Sequence, residues 1–208
     1  SPTGQWSRGE TVRNTWRIEA VSGTPPGDYQ VEVILHDPQL GRDLEAEEGS
    51  VLLGPVKIPR REPPALTSLD IEHPQEAILG DKVQLLGYNI ESGFRPGDGI
   101  HLTLFWQCLE EMDQDYTVFI HLIDEKQNIW GQNDNQPVDG FYPTSQWEVG
   151  EIVRDQYDIA ISLEALPGEY QLEVGMYSVE TGERLETWTD GERLQGDRIL
   201  LEKMQIGQ

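Results

Sequence analysis

The residues that could carry chemistry in this chain are few and scattered. Ser145 lies in a Thr-Ser-Gln setting, without the Gly-x-Ser-x-Gly turn that exposes an activated serine. Cys108 is the only cysteine, and it falls on the inward face of a predicted strand, where a buried structural thiol is expected. No paired carboxylates stand out from the many acidic residues as a glycosidase pair. No zinc-binding spacing links the four histidines, which are His36, His73, His101 and His121. We therefore predict no catalytic site.

One loop is rich in oxygen ligands. Residues 132–140 contain Asp134 and Asp139 among asparagines and glutamines. Calcium takes about six to eight oxygen ligands, and such loops can supply them. Asparagine, aspartate and glycine are also ordinary turn formers. The loop is thus either a calcium site on Asp134 and Asp139 or a plain turn with no cofactor.

The aromatic residues are the strongest candidates for ligand binding. Strand alternation predicts that Phe105, Phe119 and Tyr177 face outward, and it puts His121 on the same face as Phe119. Trp130 lies beside a turn. Sugars bind by stacking on aromatic rings with polar groups nearby, so these five residues form a candidate glycan site. The alternative is packing, with the outward aromatics meeting a neighbouring repeat and Trp6 and Trp147 closing the sandwich end.

Composition narrows the classes of partner. The net charge is −23, and such a surface repels nucleic acid and anionic lipid headgroups. Hydrophobic residues make up 37% of the chain, enough for a globular core. No apolar run approaches the roughly 18 residues of a membrane-spanning helix, so direct membrane insertion is not expected. The chain starts without Met or a signal peptide, which predicts a mature fragment or an excised piece.

An internal repeat organises the chain. The stretch 1–13 aligns with 142–154 without a gap, and Trp16 then corresponds to Tyr157. Further on, Pro26-Gly27-Asp28-Tyr29 corresponds to Pro167-Gly168-Glu169-Tyr170. The match resumes with residues 50–53 against 198–201. Such self-similarity indicates two copies of one structural unit.

Short alternating segments between turns predict an all-β fold. In residues 1–58 we expect strands over Glu10–Val21, Tyr29–Leu35 and Val51–Ile58. About eight strands are predicted overall in the rest of the chain, among them Lys82–Glu91, Ile100–Cys108, Tyr116–Ile123, Asn128–Asn133, Ile152–Ile161, Tyr170–Tyr177 and Arg198–Ile206. This pattern predicts a two-sheet β-sandwich, Ig-like or jelly-roll-like.

The repeat predicts three segments. Residues 1–58 form the C-terminal half of an incomplete first sandwich, 59–76 a proline-rich connector, and 77–208 a complete sandwich. Half a sandwich has bare strand edges and an uncovered apolar face. We therefore expect residues 1–58 to pack on the complete unit, to pair with another chain or to stay partly mobile, and a homodimer is the favoured prediction.

Several motifs together resemble a known domain family. They include Arg95-Pro96-Gly97-Asp98, Leu104-Phe105-Trp106-Gln107, Tyr142-Pro143-Thr144 and Val174-Gly175-Met176-Tyr177. On these motifs residues 79–206 resemble the C-terminal β-sandwich repeats of large bacterial multi-pass membrane proteins similar to protein mannosyltransferases. The resemblance implies an extracytoplasmic, cell-envelope location and a membrane-anchored parent. Catalysis in that family would belong to a membrane portion, so no catalytic residue is carried over.

Two functions follow as expectations. The leading one is a non-enzymatic accessory module that binds or positions carbohydrate for a membrane-bound glycosyltransferase. The alternative is a structural spacer or protein-interaction sandwich without a ligand. They differ in whether the outward aromatics are open to solvent or covered.

Overall fold

The computed structural model describes residues 7, 9–13, 15–37, 42–44, 51–91 and 94–207. Strands account for 50% of the structure and helix for 5%. In the described residues the helical part consists of three 3₁₀ turns, Leu66–Ser68, Val138–Gly140 and Thr144–Gln146. The all-β prediction is therefore confirmed. Trp6, one of the aromatics named above, lies outside the described residues.

The N-terminal copy contributes two small antiparallel hairpins. Strand β1 (Gly27–Val33) pairs with β4 (Val51–Ile58), and β2 (Leu35–Asp37) pairs with β3 (Arg42–Leu44).

Ten further strands form the two sheets of the sandwich. They are β5 (His73–Leu79), β6 (Val83–Ile90), β7 (Gly99–Cys108), β8 (Tyr116–Ile123), β9 (Ile129–Asn135), β10 (Ile152–Ala160), β11 (Gly168–Ser178), β12 (Thr187–Thr189), β13 (Glu192–Arg193) and β14 (Ile199–Ile206). One sheet has the order β10-β7-β6-β5-β12-β13, and the other has the order β14-β11-β8-β9.

The strand order is that of an immunoglobulin-like sandwich. In the first sheet β6, β7 and β10 are neighbours in the manner of Ig strands A, B and E. In the second sheet β14, β11, β8 and β9 follow the order G, F, C and C′. Strand β5 and the β12–β13 hairpin extend the first sheet beyond strand A. Of the two architectures predicted, the topology matches the Ig-like one.

The core lies between the two sheets and follows the predicted alternation. On β7 the inward residues Leu104 and Trp106 are fully buried, as are Ile120 on β8 and Val174 on β11. Burial of such side chains stabilises the fold by about 1.5–3 kcal/mol each. One end of the core is closed by Trp147, whose Nε1 donates to the carbonyl of Tyr142 (3.0 Å). Trp147 therefore plugs the sandwich end, as predicted.

Both copies contain the same tyrosine corner. Tyr170 Oη, near the start of β11, donates to the carbonyl of Leu166 (2.7 Å). Tyr29 Oη, in β1, donates to the carbonyl of Pro25 (2.8 Å). This hydrogen bond, from strand F back to the preceding corner, is a hallmark of Ig-type sandwiches. It assigns β1 and β11 to equivalent positions.

The strand registers of the two copies also correspond. Gly27 pairs with Ile58, and its equivalent Gly168 pairs with Ile206. Glu32 pairs with Leu52, and Glu173 pairs with Leu200. Hairpin β1–β4 is thus the structural counterpart of β11–β14.

Two sequence predictions differ from the structure. The predicted strand Glu10–Val21 is not a strand in any of its described residues. Its counterpart β10 is held by pairing with β7, and no described residue of the first copy supplies such a partner. Strand β5 begins at His73, inside the predicted connector 59–76. Its first residues, His73 and Pro74, already pair with β6, as do its last residues, Ala77 to Leu79. The complete sandwich therefore starts earlier than residue 77.

The two tyrosine corners give a matched test. Tyr170→Phe should lower the free energy of unfolding of the sandwich by about 1 kcal/mol, since the Leu166 carbonyl loses its donor. Tyr29→Phe keeps the ring and removes only a hydroxyl that bonds within the first copy, so it should leave that transition unchanged. Urea unfolding followed by circular dichroism measures both, and equal effects of the two substitutions would contradict this assignment.

Candidate functional site

The structure gathers four of the predicted site residues on the outer face of the four-stranded sheet. Phe119 and His121 of β8 have ring centroids 5.3 Å apart, and Phe119 and Tyr177 of β11 have centroids 6.4 Å apart. Asp134 of β9 lies beside His121. The alternation used to predict outward faces therefore placed Phe119, His121 and Tyr177 correctly.

The ring of Phe119 is nevertheless covered. The guanidinium of Arg184 lies 4.1 Å from its centroid, a cation–π contact. Beneath the ring lies Gly175, where an added Cβ would come within 2.5 Å of Phe119 Cζ. Phe119 is only 1% exposed, so neither face can stack on a sugar. The expectation that Phe119 is open to a ligand is wrong.

His121 is held in a charged network. Its Nδ1 lies 2.9 Å from Glu173 Oε1, and its Nε2 lies 3.4 Å from Asp134 Oδ1. Arg198 completes the chain by an ion pair with Glu173. Burial alone would raise the pKa of Glu173, but hydrogen bonds and charge from His121 and Arg198 outweigh it, and the pKa is lowered. This network links three strands of the sheet.

Phe105 lies on the outer face of the other sheet and is also covered. It packs with Leu86 and Ile152 beneath Leu69 and Ile71, which belong to the predicted connector. Its exposure is 1%. Phe105 is therefore a packing residue between the sheet and the connector, and the expectation of an exposed ligand-binding ring is wrong there too.

The residues of the predicted calcium loop have protein partners. Asp134 lies against His121, and Asp139 Oδ1 accepts a hydrogen bond from Asn135 Nδ2 (3.0 Å). Asp139 has a positive φ of 53°, a conformation that aspartate tolerates in turns. Across the described part of the chain, no group of three or more histidine, cysteine or acidic residues is arranged to hold a metal ion.

Trp130 borders an open cleft at one end of the sandwich. The cleft has a volume of about 500 Å³ and is also lined by Lys126, Asn128, Leu166 and Glu169. Trp130 meets Tyr170 edge to face at 6.4 Å, and its Nε1 donates to Asp124 Oδ2 (3.1 Å). Unlike Phe105 and Phe119, Trp130 keeps part of its surface exposed.

Hydrogen bonds organise the turn beside this cleft around Asp124. Its carboxylate accepts from the backbone amides of Lys126 and Asn128 (2.8 and 2.9 Å) and from the Asn128 side chain (2.8 Å). The Asn128 side chain and these other donors lower the pKa of Asp124 to about 2. The turn therefore holds Trp130 in one orientation at the rim.

Asp155 is a fully buried carboxylate in the core. Its oxygens accept hydrogen bonds from the Val138 amide (2.8 Å), Trp106 Nε1 (3.2 Å) and Tyr157 Oη (2.7 Å). Burial raises the pKa of Asp155 to about 6 in spite of these donors. Because no oxygen faces solvent, Asp155 ties the β9–β10 connection to the core and offers no site for a substrate.

Cys108 is a buried thiol, as predicted. Burial raises its pKa to about 11, and its Sγ donates to the carbonyl of Glu110 (3.3 Å). A thiol in this state is not a nucleophile at neutral pH.

The connector is fastened to the repeated motif of the complete unit. Arg60 donates to Tyr142 Oη (2.7 Å) and to the carbonyl of Gln146 (3.0 Å). It also forms an ion pair with Glu148. Tyr142 Oη in turn lies 2.9 Å from both oxygens of Glu151. Sequence reasoning treated residues 59–64 as an extended spacer and missed this contact, because a lone arginine carries no signal of its distant partner.

No protein-family model matches the chain, and no curated protein matches it. The resemblance to membrane glycosyltransferase repeats therefore stays a hypothesis. Among the described residues, no helix combines the length and the apolar character needed to cross a bilayer.

The buried carboxylate gives a pH prediction. The folded protein binds a proton at Asp155 up to about pH 6, whereas the unfolded chain loses it near pH 3.8. Stability from this group is therefore present at low pH and falls as pH rises through that window, by up to about 3 kcal/mol.

Asp155→Asn should remove this dependence. As pH rises from 4 to 7, the parent should lose free energy of unfolding relative to the Asp155→Asn variant. Other titrating groups cancel in that difference. Urea titrations at several pH values measure it, and a constant difference would show that Asp155 does not titrate there.

Proposed function

We propose that this chain is a non-catalytic module of stacked β-sandwich repeats that acts as a spacer or interaction arm. The observation that carries the proposal is a specific joint between the two copies. On one side the joint contains Gly23, Gly27, Tyr29 and Arg60, and on the other Phe141, Tyr142, Glu148 and Arg154.

The joint combines apolar and polar contacts. The rings of Tyr29 and Phe141 pack with centroids 5.5 Å apart. A Cβ at Gly27 would lie 2.8 Å from Phe141 Cε1, so only glycine permits this approach without rearrangement. The backbone amide of Arg154 donates to the carbonyl of Gly23 (2.8 Å). Together with the Arg60 contacts, these interactions restrict the angle between successive repeats.

The burial of the aromatics supports the same proposal. Phe105 and Phe119 are covered within the chain and serve packing. Of the alternatives raised by the sequence, covered aromatics favour a structural role over a sugar-binding face. Under the resemblance described above, such a module would extend outside the cytoplasm from a membrane-anchored, glycosyltransferase-like parent whose catalytic portion lies elsewhere.

Removal of Arg60 tests the joint. Spin labels at Glu32→Cys and Glu192→Cys, both at exposed positions, report the distance between the copies, while buried Cys108 stays unlabelled. We expect a narrow distance distribution in the parent and a broad one in Arg60→Ala. Hydrogen bonds to charged groups contribute about 1.5–3 kcal/mol each, so their loss should free the joint.

Arg61→Ala is the matched control. Arg61 is the exposed neighbour of Arg60, and its removal should leave the distribution narrow. A broad distribution in the parent, or a narrow one in Arg60→Ala, would contradict a rigid joint.

The Trp130 cleft favours carbohydrate binding as a second candidate function. It combines a partly exposed indole with acidic, amide and ammonium groups, which suit the faces and hydroxyls of a sugar. A glycan bound there would be positioned at the end of the sandwich.

A glycan array with purified protein tests this second candidate. If a sugar binds in the cleft, Trp130→Ala should weaken binding by about tenfold or more. Tyr177→Ala, on the same sheet but outside the cleft, should bind like the parent. An array without any bound glycan, or loss of binding in Tyr177→Ala alone, would rule out the cleft as the site.

A further inference from the structure

The first copy exposes the residues that the second copy buries. Leu53 is 53% exposed in β4, whereas its counterpart Leu201 in β14 is 2% exposed. Trp16 is 84% exposed, whereas its counterpart Tyr157 is 3% exposed. The same reversal holds for the pairs Ile18 and Ile159, Val33 and Val174, and Val51 and Ile199.

In β4 the reversal is confined to one face of the strand. Leu52, the neighbour of Leu53, points to the opposite face and is 53% exposed, and its counterpart Leu200 is also exposed, at 43%. This position thus faces solvent in both copies, whereas the positions that face the core of the complete sandwich are uncovered in the first copy. We call the set Val33, Val51 and Leu53 the open face.

The edge of β1 is open as well. In the complete unit β11 pairs with β14 on one side and with β8 on the other. Its counterpart β1 pairs with β4, and no other described strand pairs with it. An unpaired edge beside an apolar face is a template for an added strand.

We infer that the open face and the free edge of β1 are a docking surface for the first half of a repeat, a polypeptide with the pattern of residues 77–141. The inference rests on the proposed role as a stacked-repeat module. The second copy itself shows what covers such a face, because β8 pairs with the edge of β11 and the inward residues of β6 and β7, in the opposite sheet, pack over it in one core cluster. The occupant therefore brings one strand to the edge and a second sheet to the face.

The chain itself supplies the probe for this inference. Because Ser1 corresponds to Tyr142, residues 77–141 placed directly before Ser1 keep the order and spacing of a complete repeat. Amide hydrogen exchange, read by mass spectrometry on peptides from β1 and β4, then compares this fusion with the parent.

In the fusion, the amides of β1 and β4 should exchange about tenfold or more slowly, because opening would require separating the added half. Leu53→Asp in the fusion should abolish the protection, while the matched Leu52→Asp should retain it. Unchanged exchange in β1 and β4, or equal effects of the two substitutions, would overturn the inference.

Two controls test whether the protection is specific and whether the chain associates with itself. A fusion in which the added segment carries Val118→Asp and Ile120→Asp should show no protection, since its inward face is disrupted.

Protection of β1 and β4 in the parent that grows with protein concentration would instead assign the open face to a second copy and overturn the inference. The spin-label distances across the Arg60 joint are measured on the chain without the added segment. A negative exchange result in the fusion would therefore overturn the docking surface alone and leave the proposed function to be judged by the spin labels.

Discussion

The constraint on which this structure depends is that a two-faced pair of β-strands needs a second sheet over its apolar side. In the complete unit β11 and β14 meet this constraint, because β6 and β7 of the other sheet place Leu85 and Trp106 in the shared core. The hairpin β1–β4 has the same register but lacks that cover among the described residues. A difference in neighbours, not in local sequence, therefore separates a buried core strand from an exposed one.

The repeated motif at residues 142–154 has two structural duties. Trp147 closes the end of the sandwich, and Tyr142 receives Arg60 from the connector. Burial, with Glu151 nearby, raises the pKa of Tyr142, so its hydroxyl stays protonated and can donate to that carboxylate. The motif thus links the packing of one repeat to the placement of the preceding one.

The charged groups of the sandwich serve cohesion. His121 with Asp134 and Glu173 spans three strands on one surface, and Asp155 ties a connection to the core. These buried groups all have partners, which is the condition for keeping polar groups in a folded interior. The Trp130 cleft is open to solvent, and the hydrogen bonds of Asp124 hold the turn at its rim.

Sequence alternation by itself determined the all-β class, most strand positions and the outward direction of Phe105, Phe119 and His121, because side-chain direction in a strand depends on local geometry alone. The repeat likewise predicted the equivalence of Gly27 with Gly168. Only the tertiary structure decided that Phe105 lies under Leu69 and that Phe119 lies under Arg184. Those contacts join residues far apart in the chain, and no local pattern encodes which distant segment will cover an outward ring.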